Sequence, residues 1–347
     1  MAGTLNIYET RTMLQVLEMR KSANTFFRKN FFRDGQIFTT ETVDLDVIRG
    51  TRRMAPFVNP KMQGKVMDKQ GYITRSYKPA YVKPKLVTTA ANLFSRQAGQ
   101  AIYTPAMTPA AMAAEQLGRE LAELDDSITR REEWMCAGAL LTGKVTVVGD
   151  GVNDELDFYA DAAHFPVLLT TARWSQASTA VPLTNLKTWK RLIAKDAGVN
   201  PNICIMGLDA YDAFMGCAQV IAASGLFNLR QIDIGAIAPQ MLPGGVTYVG
   251  RINEIGMDIY TYEEWYYDEL TSTTKPMMPA DKVFLGATGT EAEFCYGAIQ
   301  DLDSLVPVAR FPKTWKEEDP SAMFLMVQSA PMPVPKRIDA FLTATVL

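Results

Sequence analysis

Histidine is nearly missing from this chain: His164 is the only one in 347 residues. One imidazole excludes His-rich metal sites and the two-histidine HExxH zinc helix. Cysteine is sparse too. Cys136, Cys204, Cys217 and Cys295 lie 68, 13 and 78 positions apart, so no CxxC pair exists. The spacing predicts small buried thiols in a chain made under reducing conditions. No stretch approaches the roughly 18 consecutive apolar residues of a membrane span. Met1–Asn6 lack the basic start and apolar run of a secretory signal. Together these absences predict synthesis in the cytosol. Net charge is small as well: 35 Lys+Arg against 38 Asp+Glu gives −3, which excludes a dedicated nucleic-acid binder. There is no internal repeat and no low-complexity tract. What remains is ordinary globular composition, 48% hydrophobic and 21% charged, long enough for one large domain or two smaller ones.

Several elements are predicted from pattern. Met13, Val16 and Leu17 mark a weak amphipathic helix over 10–21. Two aromatic pairs follow, Phe26-Phe27 and Phe31-Phe32, and the β-branched run 37–45 predicts a strand. The longest helix is predicted over 108–142, opened by Thr108-Pro109 and stopped by Gly143. Its apolar residues Leu117, Leu121, Leu124, Ile128 and Met135 step by 4, 3, 4 and 7, and Glu115/Arg119 and Asp126/Arg130 are favourable i,i+4 pairs. Such a helix spans about 50 Å, a spine rather than a short core element. Strands are predicted at 144–148 and 155–159, then helix and strand alternate: helices at 183–195 and 208–223, strands at 203–207, 246–249, 258–262 and 282–286. Strands at 322–327 and 338–346 close the chain. The Met332-Pro333-Val334-Pro335 run between them is excluded as a central strand. The predicted fold class is α+β.

Charge is distributed unevenly. Residues 49–85 hold ten bases (Arg49, Arg52, Arg53, Lys61, Lys65, Lys69, Arg75, Lys78, Lys83 and Lys85) and one acid, Asp68, hence +9. Gln70-Gly71, between 65–67 and 72–74, predicts a hairpin tip. Residues 251–319 hold 14 acids and 6 bases, hence −8. A long basic excursion buries little of its own surface and calls for an acidic surface to rest on. Tyr72, Tyr77 and Tyr81 interleave with the bases, a pattern also open to a nucleic-acid arm. The acidic partner within the chain itself favours docking between copies, head to tail, which closes into rings.

Motifs for catalysis fail on inspection. Gly138–Lys144 fits seven positions of a phosphate loop, but the eighth is Val145 and the string ends a helix instead of opening one. Gly286-Ala287-Thr288-Gly289 lacks the third glycine of a dinucleotide loop. His164, with Asp161 nearby, has no GxSxG nucleophile elbow to serve. Asp125-Asp126 and Glu132-Glu133 on the long helix are expected to form a solvated face. Neither catalytic residues nor a cofactor or metal site is predicted.

The order of parts and a set of short strings resemble one family. The strings are Phe31-Phe32-Arg33 with Phe38-Thr39-Thr40-Glu41, and Tyr81-Val82-Lys83-Pro84-Lys85. Later come Phe284-Leu285-Gly286, Tyr296-Gly297-Ala298-Ile299-Gln300-Asp301, Ala309-Arg310-Phe311-Pro312-Lys313-Thr314-Trp315 and Gln328-Ser329-Ala330-Pro331. Together they resemble the lambda-type major capsid proteins of tailed bacteriophages, along almost the whole chain and most weakly between about 145 and 280. The resemblance implies the HK-97-type capsid fold: an N-terminal arm (1–48), an extended β-loop (49–92), a peripheral domain (93–180) with spine helix 108–142, an axial domain (181–304), and a return to the peripheral domain (305–347). It implies a structural protein, not an enzyme, that assembles in the host cytoplasm as hexamers and pentamers into the icosahedral shell of the virion around double-stranded DNA. Implied partners are further copies of itself, a decoration protein, a separate scaffold and a portal, with no sequence-specific DNA binding and no membrane. Arg52, Arg53, Lys61, Lys65 and Lys69 are then expected to attract acids of the adjacent subunit, and Tyr72, Tyr77 and Tyr81 to supply apolar contact. An encapsulin-like compartment shell and a cytosolic α+β enzyme are the alternatives.

Overall fold

The computed structural model describes residues 13–14, 25–40, 42–48, 54–67, 72–89, 109–224, 240–242, 244–290, 292–301, 307–319 and 321–347. A short helix, α1 (Phe27–Phe31), runs directly into strand β1 (Phe32–Ile37). The single strand expected over 37–45 is two strands instead. β1 ends at Ile37, a bend passes through Thr39 and Thr40, and β2 (Val43–Ile48) begins afterwards. The Thr40 hydroxyl donates to the Thr42 carbonyl at 2.8 Å, and such local bonding competes with a strand ladder.

β2 pairs antiparallel with β3 (Tyr72–Tyr77), Val43 opposite Tyr77 and Ile48 opposite Tyr72. The basic excursion is thus closed at its base by these two strands. The pairing expected between 65–67 and 72–74 does not form, because 63–67 carry no strand. The expected Gln70-Gly71 tip lies outside the described residues, as does the helix over 10–21 apart from positions 13 and 14.

Strand β4 (Lys85–Thr89) precedes the long helix α2 (Pro109–Thr142), 34 residues where 108–142 was expected. Leu117, Leu121, Leu124, Ile128 and Met135 are all buried, as a 3.6-residue period requires. Gly143 ends the helix at φ +69°, where a Cβ would stand 2.9 Å from that of Ala160; only glycine fits that left-handed exit. The phosphate-loop-like string is therefore a helix exit. It leads into the hairpin of β5 (Lys144–Gly149) and β6 (Val152–Asp157).

Three helices follow among the strands: α3 (Pro182–Asp196), α4 (Leu208–Gly216) and α5 (Ala218–Ser224). The one helix expected over 208–223 is broken at Cys217, which turns to extended backbone (φ −71°, ψ 134°). The remaining strands are β7 (Ile203–Met206), β8 (Gln240–Leu242), β9 (Val246–Ile252), β10 (Met257–Tyr262), β11 (Trp265–Asp268), β12 (Thr273–Pro276), β13 (Lys282–Gly286), β14 (Ala292–Tyr296), β15 (Phe311–Glu317), β16 (Ala322–Gln328), β17 (Pro331–Pro335) and β18 (Phe341–Thr345). One sheet has six strands, in the order β18-β13-β7-β10-β9-β8. Two sheets have three strands, β1-β14-β17 and β15-β16-β4. The closing strand β18 pairs with β13, so the chain ends in the six-stranded sheet and not beside β15 and β16.

Period-2 alternation divides the six-stranded sheet between two cores. Ile203, Ile205 and Phe284 face one core, with Phe27, Phe31, Phe341 and the C-terminal half of α2. Cys204, Met206, Val283 and Leu285 face the other, with Leu186, Trp189, Ile193 and Phe214 from α3 and α4. A third core lies between the first half of α2 and Leu325 and Val327 of β16. β17 holds the edge of its sheet, as its composition requires. Pro331, Pro333 and Pro335 oppose Tyr296, Phe294 and Ala292. Three prolines of one parity turn their missing N–H groups away from β14, leaving Met332 and Val334 to bond it, and all five residues of the strand are buried.

Candidate intersubunit surface

A buried charge cluster on α2 holds the N-terminal segment that leads towards the excursion. Glu132 of α2, wholly buried, takes Arg310 Nη1 at 2.6 Å on one oxygen and Arg28 Nη1 at 2.7 Å on the other. Arg310 also reaches Asp125 at 3.1 Å and the Ser329 hydroxyl at 3.0 Å. Beside it, the Glu133 carboxylate accepts three backbone N–H groups, from Phe26 (2.9 Å), Phe27 (2.7 Å) and Arg28 (3.1 Å), and the Tyr262 hydroxyl at 3.2 Å. One helix position thus pins the N-terminal segment, and its neighbour joins that segment to the segment before β15. Burial raises the Glu133 carboxyl above its ordinary range, against the lowering pull of the three N–H groups and Tyr262. For Arg310, burial opposes the charge, but Glu132, Tyr296 and Asp125 outweigh it and the guanidinium is held more firmly protonated.

These acids correct the expectation of a solvated face. Asp125, Glu132 and Glu133 are all buried. The helical period carried the signal: Glu132 falls in the seven-residue step between Ile128 and Met135, four residues after the first. An acid in line with an apolar stripe needs a buried cation, and Arg28 and Arg310 supply it.

The expected contact residues divide. Arg52, Arg53 and Lys69 lie outside the described residues, and for Tyr72 only the backbone is described. Tyr77 is corrected outright. Its ring is buried against Phe158 (centroids 6.1 Å apart) and its hydroxyl donates to the Asp157 carbonyl at 2.7 Å, so it anchors the root inside the subunit. Tyr81 is also engaged internally: its hydroxyl donates to the Ala298 carbonyl at 2.5 Å and accepts the Gln300 N–H at 3.1 Å. Lys61 and Lys65 are exposed on the excursion.

Sequence reasoning weighed charge there and missed the apolar side chains. Phe57 is fully exposed (101%), as are Val66 (90%) and Met54 (88%), with Met62 close behind. Residues 54–67 hold only the turn at Pro60–Met62, where the Met62 N–H donates to the Asn59 carbonyl at 2.9 Å. Four large apolar side chains on a segment without a ladder of its own are a surface built to be covered. Their positions were legible; only the bases around them hid the pattern.

Nothing in the described residues offers chemistry to rival this. His164 is buried, its Nδ1 2.7 Å from the Phe341 carbonyl and its Nε2 3.3 Å from Asp196. Asp161 instead accepts the Ala163 N–H. All four cysteines are buried, and burial raises the Cys136 thiol well above its ordinary value. Among the described residues no three His, Cys, Asp or Glu are grouped to hold a metal, and no helix is long and apolar enough to cross a membrane.

Comparison with known proteins supplies the context. The family model for phage major capsid protein E matches residues 9–346. The major capsid protein of Enterobacteria phage P21 is 28% identical over 99% of this chain and 100% of its own length. That of Escherichia phage lambda is 26% identical over 98% of this chain and 99% of its own. Among solved structures, a prophage capsid protein from Escherichia coli CFT073 superposes with TM-score 0.72 at 21% identity, covering 97% of this chain and 99% of that one. The capsid of Ralstonia phage GP4 gives 0.51 at 12% identity, covering 94% and 91%. The fold is the HK97-like α+β capsid fold.

Proposed function

Because this chain belongs to the phage major capsid protein E family, we propose that it assembles as hexamers and pentamers into an icosahedral shell around double-stranded DNA. It is a structural protein of the phage head, not an enzyme, as its relatives are. In this reading 1–48 is an N-terminal arm and 49–92 an extended loop over the adjacent subunit. Residues 93–180 and 305–347 form the peripheral part, and 181–304 the axial part around the five-fold and six-fold centres. Scaffold, decoration protein, portal and packaged DNA are its further partners, and assembly takes place in the host cytoplasm.

The observation that supports this best is the excursion at 54–67, whose Met54, Phe57, Met62 and Val66 are exposed among the described residues. A neighbour's surface buries them, and Arg52, Arg53, Lys61, Lys65 and Lys69 bring that surface into register by attracting its acids. Each exposed ion pair contributes only about 0–1 kcal/mol, whereas full burial of a Phe or Met side chain contributes about 1.5–3 kcal/mol. Apolar contact therefore provides the strength and charge the direction.

Electron microscopy of the expressed protein after size exclusion tests the reading, with a scaffold co-expressed where one is required. Shells, or hexameric and pentameric rings, are expected, and DNA as the contents of virion-derived shells separates them from an encapsulin-like compartment filled with cargo protein. Arg52→Glu with Arg53→Glu is expected to block closure while leaving a folded subunit. A wild-type chain that stays monomeric even with its scaffold overturns the proposal.

A further inference from the structure

A second unfilled surface lies on α2 itself. Two adjoining pockets of about 270 and 420 Å³ share Val82, Arg131 and Trp134 and form one groove between β5–β6, the 80–84 segment and β11–β12. Its aromatic wall is Trp134, Tyr266 and Tyr267; the Trp134 Nε1–H donates to the Tyr266 hydroxyl at 3.1 Å. Its cations are Lys83, Arg130 and Arg131. The Arg131 guanidinium lies 5.2 Å from the Trp134 ring centre, and Lys83 Nζ 4.9 Å from that of Tyr81. None of the three forms an ion pair among the described residues, so the Asp126–Arg130 pair expected from sequence is not made, although Glu115–Arg119 is. Two acids, Asp150 and Glu269, stand in the turns at the groove's margins.

The same chain carries a complement. The end of β15 and the turn into β16 present Glu317, Glu318 and Asp319, all exposed and in no ion pair among the described residues. Just behind them Trp315 stacks on Phe324, centroids 5.2 Å apart and planes 2° apart, with the indole partly exposed. Tip and groove cannot meet within one copy. Thr88 of β4 bonds Glu120 of α2 at 2.6 Å and pairs with Met323 of β16, and the tip lies beyond that level. The groove begins near Ser127 and Arg130, ten residues or about 15 Å further along the helix, in the opposite direction.

We propose that this groove receives the β15–β16 tip of a second copy of the chain, with Glu317, Glu318 and Asp319 set against Lys83, Arg130 and Arg131. Trp315 then approaches the aromatic wall of the groove. The contact joins unlike surfaces and so propagates head to tail, closing into a ring or continuing between rings. It rests on the self-assembly reading but uses none of residues 54–67.

Charge exchange in the full-length chain, followed by sedimentation velocity and electron microscopy, tests it. Arg130→Glu with Arg131→Glu, and separately Glu317→Lys with Glu318→Lys, are each expected to raise the protein concentration needed for association about tenfold. All four changes together are expected to restore it. All these side chains are exposed, so the subunits fold; near-ultraviolet circular dichroism checks this. A second reading uses Arg130→Cys with Glu318→Cys, expected to give intermolecular disulfide ladders on oxidation, since the four native cysteines are buried. Three outcomes overturn the proposal: wild-type association by the groove variant, rescue of the tip variant by Lys61→Glu with Lys65→Glu in place of the groove changes, or loss of association in the groove variant alone. The last would assign the groove to another anion, such as nucleic acid. A wild-type chain that never associates overturns the self-assembly reading as well, whereas normal wild-type assembly with a failed exchange overturns the groove alone.

Discussion

Arg28 and Arg310 beneath the spine helix and Lys61 and Lys65 on the excursion are all cations, yet their surroundings are opposite. The arginines, mostly buried, meet the wholly buried Glu132 at 2.6–2.7 Å, with Asp125, Ser329 and Tyr296 taking further donors. The lysines stand in water among exposed Met62, Val66 and Phe57. The buried group is complete: each charge has its partner inside the chain, and its effect is to fix where three chain segments meet. The excursion is incomplete and becomes structure only against another molecule. Charge in the first region therefore governs whether the subunit exists, and in the second whether subunits join.

Breaking this contrast begins with its largest effect. Glu132→Ala removes the buried acid shared by two largely buried guanidinium groups, leaving Arg310 with Asp125 and Arg28 with the exposed Asp34, and is expected to cost about 3 kcal/mol, read as a lowered denaturant midpoint of the unassembled subunit. A stability within about 1 kcal/mol of wild type would show that the clasp is not a buried pair. Next is pH. Because the folded-state value of Glu133 lies above its ordinary 4.5, the folded chain holds a proton that the unfolded chain releases. The stabilisation is complete below that ordinary value and is lost as pH rises through the window up to the folded value. Glu133→Gln is expected to remove that slope, so the stability gap between wild type and variant shifts in the variant's favour as pH is raised from 4 towards neutrality. Parallel curves would refute it. Tyr81→Phe, which loses two hydrogen bonds at the root, is expected to cost about 1 kcal/mol. Phe57→Ser with Met62→Ser sits at the bottom of the stability scale, with no change in the subunit's midpoint expected, yet assembly is expected to fail. A lowered midpoint would place those side chains in the subunit's own core.

Much of the fold was legible because the residues in question act locally. The spine helix could be bounded from Thr108-Pro109 and Gly143, and the prolines of 332–335 excluded a central strand there, although not the outer strand that forms. The family could be recognised from strings that recur in order. The pairing of β2 with β3 could not be read, since it joins segments separated by more than 20 residues. Nor could the inward turn of Tyr77, which depends on Phe158 and Asp157 arriving from another hairpin. Glu132 was readable in principle from its place on the helical stripe. Its partners were not, since Arg28 and Arg310 are 104 and 178 positions away.

The proline-rich strand β17 has a consequence for how tightly the subunit can be closed. An outer strand edge packed away from water leaves every second N–H without a partner, and each such orphan costs free energy comparable to a lost hydrogen bond. All five residues of β17 are buried, and Pro331, Pro333 and Pro335 carry no outward donor to leave unpaired. The edge can therefore be sealed inside the subunit without a fourth strand to satisfy it.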